Sequence, residues 1–176
     1  MNKKLSVVLF IIVTLYAAIF GVIMVITILQ PSMAYENTDL LLGNIVNSSN
    51  KINYRQFTKD GINTITCKKM TGMETIWKYQ ANEDMTLQMV YDLKVTNGKA
   101  KLVLITPDDT IITLTEQDSA VFEDNNGQAS ETTKYSDTGM PDMESTVDLN
   151  LQKGENRIRI VCRKGTTFSL SFRIIE

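Results

Sequence analysis

Histidine is absent from all 176 residues. That gap removes the Ser-His and Cys-His nucleophile pairs, His-ligated zinc and any histidine pH switch. The residues left that could do chemistry are two cysteines, a pair of aromatic rings, scattered carboxylates and a set of strand-borne cations. Cys67 in "TITCKK" shares parity with Ile65, and Cys162 in "IRIVCR" shares parity with Ile158 and Ile160. Both thiols are therefore expected to point into an apolar interior, from an early strand and a late one. Even number, shared parity and an oxidising compartment together predict a Cys67–Cys162 disulfide. The alternative is two small buried apolar side chains.

Trp77 and Tyr79 stand two apart in "TIWKYQ", on one face of a strand. Exposed, such rings could stack on a sugar; burial preferences place them in the core instead. Lys94, Lys99, Lys101, Arg157, Arg159 and Arg163 fall on outward strand positions. They are a candidate basic surface for an anionic polymer or lipid headgroups if their strands are neighbours, and otherwise a solvated sheet face. Asp108 and Asp109 are adjacent in a tight turn and point apart. Glycosidase chemistry needs two carboxylates about 5–9 Å apart across a cleft, and nothing marks such a pair. No catalytic, cofactor or metal residue is assigned. Calcium in the acidic stretch that contains "EDNNG" is the one cation considered, because carboxylates and amide oxygens suit it, although that run lacks the alternating acid spacing of a calcium loop.

The elements that must hold these residues are strands. In "MTLQMVYDLKVT", Met85, Leu87, Met89, Tyr91, Leu93 and Val95 alternate with mostly polar neighbours, the pattern of a half-buried strand. Asn97-Gly98 then reads as a type I′ hairpin pairing Leu93 with Leu102 and Tyr91 with Leu104. "TPDDT" predicts a three-residue loop that aligns Leu104 with Ile112 and Leu102 with Leu114. Gly154 in "LQKGENRI" predicts a hairpin setting Leu149 against Ile160, and "RKGTTF" another setting Ile160 against Leu170. "INTITCKK" and "ETIWKYQA" read as two shorter strands. About eight one-sided antiparallel strands with no amphipathic helix predict an all-β domain, an antiparallel β-sandwich or jelly roll, with a closed barrel as the lesser alternative. The alternation fails between about 115 and 145, where eight acids meet one lysine. That stretch is expected to be a flexible acidic loop.

Ahead of the domain lies an uncharged run of 25 residues, Leu5 to Leu29, preceded by Lys3 and Lys4. As a helix it would reach about 37 Å, enough for the roughly 30 Å hydrocarbon core. This predicts a signal-anchor transmembrane helix within residues 1–34 and a single-pass membrane protein with its C-terminal domain outside. Ser32-Met33-Ala34 also fits a signal-peptidase site, and cleavage after Ala34 would make the protein secreted. Residues 35–61 are polar around "LLLGNIV" and are expected to be a stalk before the domain of residues 62–176. Without the first 34 residues, 16 basic and 20 acidic side chains remain, a mildly acidic balance that argues against a nucleic-acid partner.

"YDLKVTNGKAKLVLITPDDTIITL" together with "STVDLNLQKGENRIRIVCRKGTTFSLSFRI" resembles the small extracytoplasmic β-sandwich domains that follow a signal or anchor in Gram-positive bacteria. Their plan, with its late L-x-x-G-x-N-x-I hairpin, is shared by pre-peptidase C-terminal-like and galactose-binding-like jelly rolls. The resemblance covers residues 85–175 and implies architecture, with carbohydrate or calcium binding in some members. No ligand-contacting motif of those families maps onto this chain residue by residue. The expected function is thus a non-enzymatic binding or structural role at the cell surface, for an envelope glycan or protein partner. A carbohydrate-binding envelope module is the alternative, and a carboxylate-dependent hydrolase the second.

Overall fold

The computed structural model describes residues 12–21, 35–42, 49–119 and 145–175. Residues 12–21 form a helix, α1, with its apolar side chains exposed. Most of the run expected to span a membrane, and most of the expected acidic loop, lie outside the described residues. Among the described residues no helix is long and apolar enough to cross a membrane. After α1 come α2 (Thr38–Leu42) and eight strands: β1 (Ser49–Ile52), β2 (Arg55–Lys59), β3 (Ile62–Ala81), β4 (Met85–Asn97), β5 (Lys99–Ile105), β6 (Ile111–Asp118), β7 (Ser145–Leu151) and β8 (Gly154–Ile175). All pairings are antiparallel, and the β-sandwich class expected from the alternation agrees with this mostly-strand architecture.

The strands are arranged about two long members. β3 has 20 residues and β8 has 22, and they pair with each other from Asn63–Phe172 to Ala81–Gly154. The first half of β8 also pairs with β5, which carries β6 on its far side. The second half of β8 pairs with β4, which carries β7. β2 pairs with the first part of β3 and β1 with its middle. The sheet folds over at bends within β3 and β8, so that residues of both halves share one core. That core includes Ile65, Leu93, Leu102, Leu104, Leu149, Ile158, Ile160, Leu170 and Phe172. β4 keeps the expected parity: Leu87, Met89, Tyr91, Leu93 and Val95 are buried, whereas Thr86, Gln88, Lys94 and Thr96 are exposed.

Three expected hairpins are absent, for one physical reason. Parity fixes which face a residue takes but not which strand stands opposite. β4 does not pair with β5. Gly98 has φ 81°, yet Asn97 is not among the residues with positive φ, so the two-residue turn of type I′ does not form. Gly98 instead carries the chain from one half of the sheet to the other, and a Cβ there would lie 2.8 Å from Thr166 Oγ1. β7 does not pair with β8; Gly154 opposes Ala81, and its α-carbon lies so close to Pro107 that a Cβ would meet the ring at 2.8 Å. "RKGTTF" is a bend inside β8, and "INTITCKK" runs on into "ETIWKYQA" as β3. The three-residue loop after Ile105 forms as expected. Asp109 N donates to Thr106 O and Thr106 N donates to Thr110 O, both at 3.0 Å. Leu104 opposes Ile112, but a bulge sets Leu102 against Thr115 rather than Leu114.

Residues 35–42 and 49–59 do not stand off as a stalk. β1 and β2 extend the sheet along β3, and α2 docks on the outer face of the β3–β8–β5 half. Tyr35 and Leu41 are buried there against Met73, Val103, Ile105 and Val161, forming a second, smaller core. This explains why both faces of β5 are buried from Leu102 to Ile105.

Candidate functional site

Three chain segments meet at the end of the domain away from those bends. The start of β4 brings Asp84, Met85 and Thr86; the β5–β6 loop brings Thr106, Thr110 and Ile112; the end of β7 brings Asn150, Leu151 and Gln152. They line an open cleft of about 420 Å³. Its walls are braced by hydrogen bonds across segments. The Asp108 carboxylate accepts from Thr106 Oγ1 at 2.6 Å, Thr110 N at 3.1 Å and Gln152 Nε2 at 3.1 Å. The second is an Asx turn within "TPDDT", the first a hydroxyl of the same loop, and the third ties that turn to the β7–β8 connection. These donors, led by the Thr106 hydroxyl, hold the Asp108 carboxyl far below the usual carboxylate range.

The β7–β8 connection is fixed from the other side too. Asp84 Oδ1 accepts from Lys153 N at 2.8 Å. Asn156, fully buried, accepts from Gln152 N at 3.2 Å and donates to the carbonyls of Gln152 and Gly154 at 2.7 and 3.1 Å. Asn156 is the Asn of the L-x-x-G-x-N-x-I plan, and here it shapes a cleft wall rather than a hairpin. At the rim of the wall Thr86 Oγ1 donates to Asn150 Oδ1 at 3.0 Å. The cleft therefore presents amides and hydroxyls on a preorganised frame, with Asp84 as the lining carboxylate. Sequence reasoning missed this site because its parts lie in three separate segments; the Asx turn at Asp108 was the one local signal.

The sequence-predicted residues fall elsewhere. Trp77 and Tyr79 are half-buried against the main core, with rings 5.6 Å apart and 6° from parallel. Each ring covers part of the other's face, on the stretch of β3 whose Tyr79 and Ala81 oppose Asn156 and Gly154. The expected disulfide is absent, and Cys67 and Cys162 are free buried thiols. The ladder sets Phe168, not Cys162, opposite Cys67, while Cys162 lies between Gly72 and Ala100. Cys67 Sγ instead donates to the carbonyls of Ile52 and Lys69, each at 3.4 Å. Burial, followed by the nearby Cys67, pushes the Cys162 thiol far up.

The six cations do not form one open surface. Arg157 and Arg159 are buried. Arg159 donates from Nε to Thr75 Oγ1 at 3.1 Å and from Nη1 to the Leu41 carbonyl at 2.5 Å, capping the last turn of α2 with a cation. Burial, followed by Arg157, lowers the Arg159 pKa. Lys101 donates to the Tyr35 carbonyl at 2.9 Å and lies 4.7 Å from the centre of that ring. Lys94 pairs with Asp92 at 3.0 Å, Lys99 with Asp118 at 2.6 Å and Arg163 with Glu36 at 3.4 Å. The Tyr35 hydroxyl donates to Glu116 at 2.7 Å, and burial together with that carboxylate raises its pKa. The calcium candidate around "EDNNG" lies outside the described residues, and no cluster of three metal-ligating side chains occurs among those described.

No protein-family model matches the chain, and no curated protein matches it. Among solved structures, a carbohydrate-binding module from Cellvibrio mixtus lichenase 5A, in complex with cellotriose, aligns with 72% of this chain and 89% of its own, at 12% identity and a TM-score of 0.35. At that identity and score the similarity transfers neither residue roles nor ligand.

Proposed function

We propose that this chain is a non-catalytic binding protein held at the outer face of a membrane, and that the cleft between β4, the β5–β6 loop and β7 takes a carbohydrate. The observation that carries the reading is the bracing of the cleft. Asp108, Gln152 and Asn156 fix the β5–β6 loop and the β7–β8 connection, and Asp84 and Thr86 tie the start of β4 to them, which suits a ligand made of hydroxyls and met by preformed donors and acceptors. Acid–base cleavage of a glycosidic bond needs a second carboxylate beside Asp84. Asp108, exposed beside the lining residues, has its carboxyl held far below the usual range by its donors and stays ionised, so it lacks the proton of a general acid. Residues 5–29 serve as the anchor: the run is uncharged throughout, and the described part of it, α1, exposes Ile12, Val13, Leu15, Tyr16, Ile19 and Phe20 around its circumference.

The test is retention of the full-length protein, in micelles, on cell-wall and plant polysaccharide matrices. Retention is expected for the parent and for Trp77→Ala, and is expected to fall when Asn150→Ala and Gln152→Ala are combined. No retention on any glycan would sink the carbohydrate reading; loss with Trp77→Ala alone would move the site to the aromatic pair. Mass spectrometry of the mature N-terminus tests the anchor: Met1 or Asn2 is expected, and Tyr35 would mean a secreted product.

A further inference from the structure

The bends that fold the sheet over lie side by side. β3 bends between Cys67 and Gly72, where its register with β8 shifts twice. β8 bends at Arg163–Thr166, and the chain crosses from β4 to β5 at Gly98. Hydrogen bonds join them: Gly165 N to Thr71 Oγ1 at 3.0 Å, Asn97 Nδ2 to Gly165 O at 3.3 Å, Thr166 Oγ1 to Lys99 O at 2.9 Å, and Thr167 Oγ1 to Lys68 O. Lys68, Lys69, Arg163 and Lys164 are all exposed on this edge. Arg163 meets the exposed Glu36, whereas among the described residues no carboxylate pairs with Lys68, Lys69 or Lys164. A chain of net charge −2 thus gathers, beside Arg163, three lysines that no carboxylate among the described residues pairs with, where Glu36 brings in its N-terminal segment.

The position of that segment gives the charge a direction. Tyr35 is buried on the domain and Glu36 touches Arg163, and the chain between Leu29 and Tyr35 can span at most about 20 Å when fully extended. With residues 5–29 inserted, as proposed above, the edge carrying Arg163 and Lys164 is drawn to the bilayer surface. There the electrostatic attraction of a basic cluster to anionic headgroups is greatest, since it fades within a Debye length of about 10 Å. We infer that the Lys68–Lys69–Arg163–Lys164 edge docks on anionic phospholipid headgroups, fixing the orientation of the domain on its own membrane and turning the cleft end away from it.

Lysine footprinting of the full-length protein on vesicles tests this. Vesicles of phosphatidylcholine alone and with added phosphatidylglycerol are compared, at low and high ionic strength, together with flotation. Labelling of Lys68, Lys69 and Lys164 is expected to fall with phosphatidylglycerol and to recover at high salt, while Lys78 and Lys153 stay unchanged. Reversal by Lys68→Glu, Lys69→Glu and Lys164→Glu, with an unchanged thermal melt, is expected to weaken headgroup docking roughly fivefold or more per residue. Flotation with both vesicle types but identical footprints overturns the docking and leaves the anchor standing. Flotation only with phosphatidylglycerol, with the protected footprint, removes the anchor and keeps the docking. No flotation with either overturns both. Preference for soluble poly(glycerol phosphate) over vesicles at equal phosphate would reassign the edge to a wall polymer and overturn the lipid proposal.

Discussion

Leu41→Ala decides whether residues 35–42 are part of the domain. Leu41 is 2% exposed, packed in the small core with Tyr35, Met73, Val103, Ile105 and Val161. The substitution deletes three carbons, a transfer loss of about 2.4 kcal/mol at roughly 0.8 kcal/mol per buried CH₂. A cavity contribution would raise this within the range of about 2–5 kcal/mol seen for buried leucines. The lower end is expected here, because a five-residue helix at the rim of a small cluster can shift to close the gap. The loss falls first on docking of the segment, since it can detach without opening the main core. Chymotryptic cleavage after Tyr35 in the full chain, held in micelles, reports that detached state when opening is fast relative to cutting. A loss of about 2.4 kcal/mol then raises the cleavage rate roughly fiftyfold. A rate equal to the parent's would refute the docked arrangement and restore a free stalk.

Gly98→Ala is expected to destabilise the fold by about 2 kcal/mol or more, because the residue sits at φ 81° and its new Cβ would press on Thr166; a parent-like urea midpoint would contradict the crossing at Gly98. Both cysteines are expected to resist thiol reagents in the native protein and to react as two free thiols after unfolding without reductant; a mass two units lower than the reduced chain would contradict this. Asp108→Asn probes a carboxyl whose folded pKa lies below its ordinary 3.8. The ionised group contributes stability that is present above that value and is lost as pH falls through the folded pKa. The variant is thus expected to be less stable than the parent at pH 7, with the gap closing in strong acid; equal stability at both would remove the bracing role.

The alternation of β4 was readable because one face is buried and the other wet, and the turn at Pro107–Asp109 because its residues impose local geometry. Partner strands were not readable. Leu93 and Leu102 have the parity a hairpin would need, yet Leu93 opposes Leu170 and Leu102 opposes Ile160. A bend in a long strand and a turn between two short ones carry the same glycine, as Gly165 shows. The docking of Tyr35 and Leu41 was equally silent, since "LLLGNIV" could lie on a bilayer, on the domain or in a stalk with the same composition. The cleft escaped notice because Asp108, Gln152 and Asn156 acquire their roles only when distant segments meet.

The pairing of β3 with β8 also orders events in time. Every rung between them joins residues 73 to 109 positions apart. Until Gly154–Ile175 is synthesised, β3 has only the short strands β1 and β2 to pair with, and β4 and β5 lack the partner between their halves. At about 5–20 residues per second, the last residue of β3 waits roughly 5–20 s for the end of β8. Throughout that interval β3, β4 and β5 each keep a bare edge where β8 will pair, the kind of edge that other chains can pair with. Late completion of β8 thus makes the unfinished chain most open to association with its neighbours just before its last strand is added.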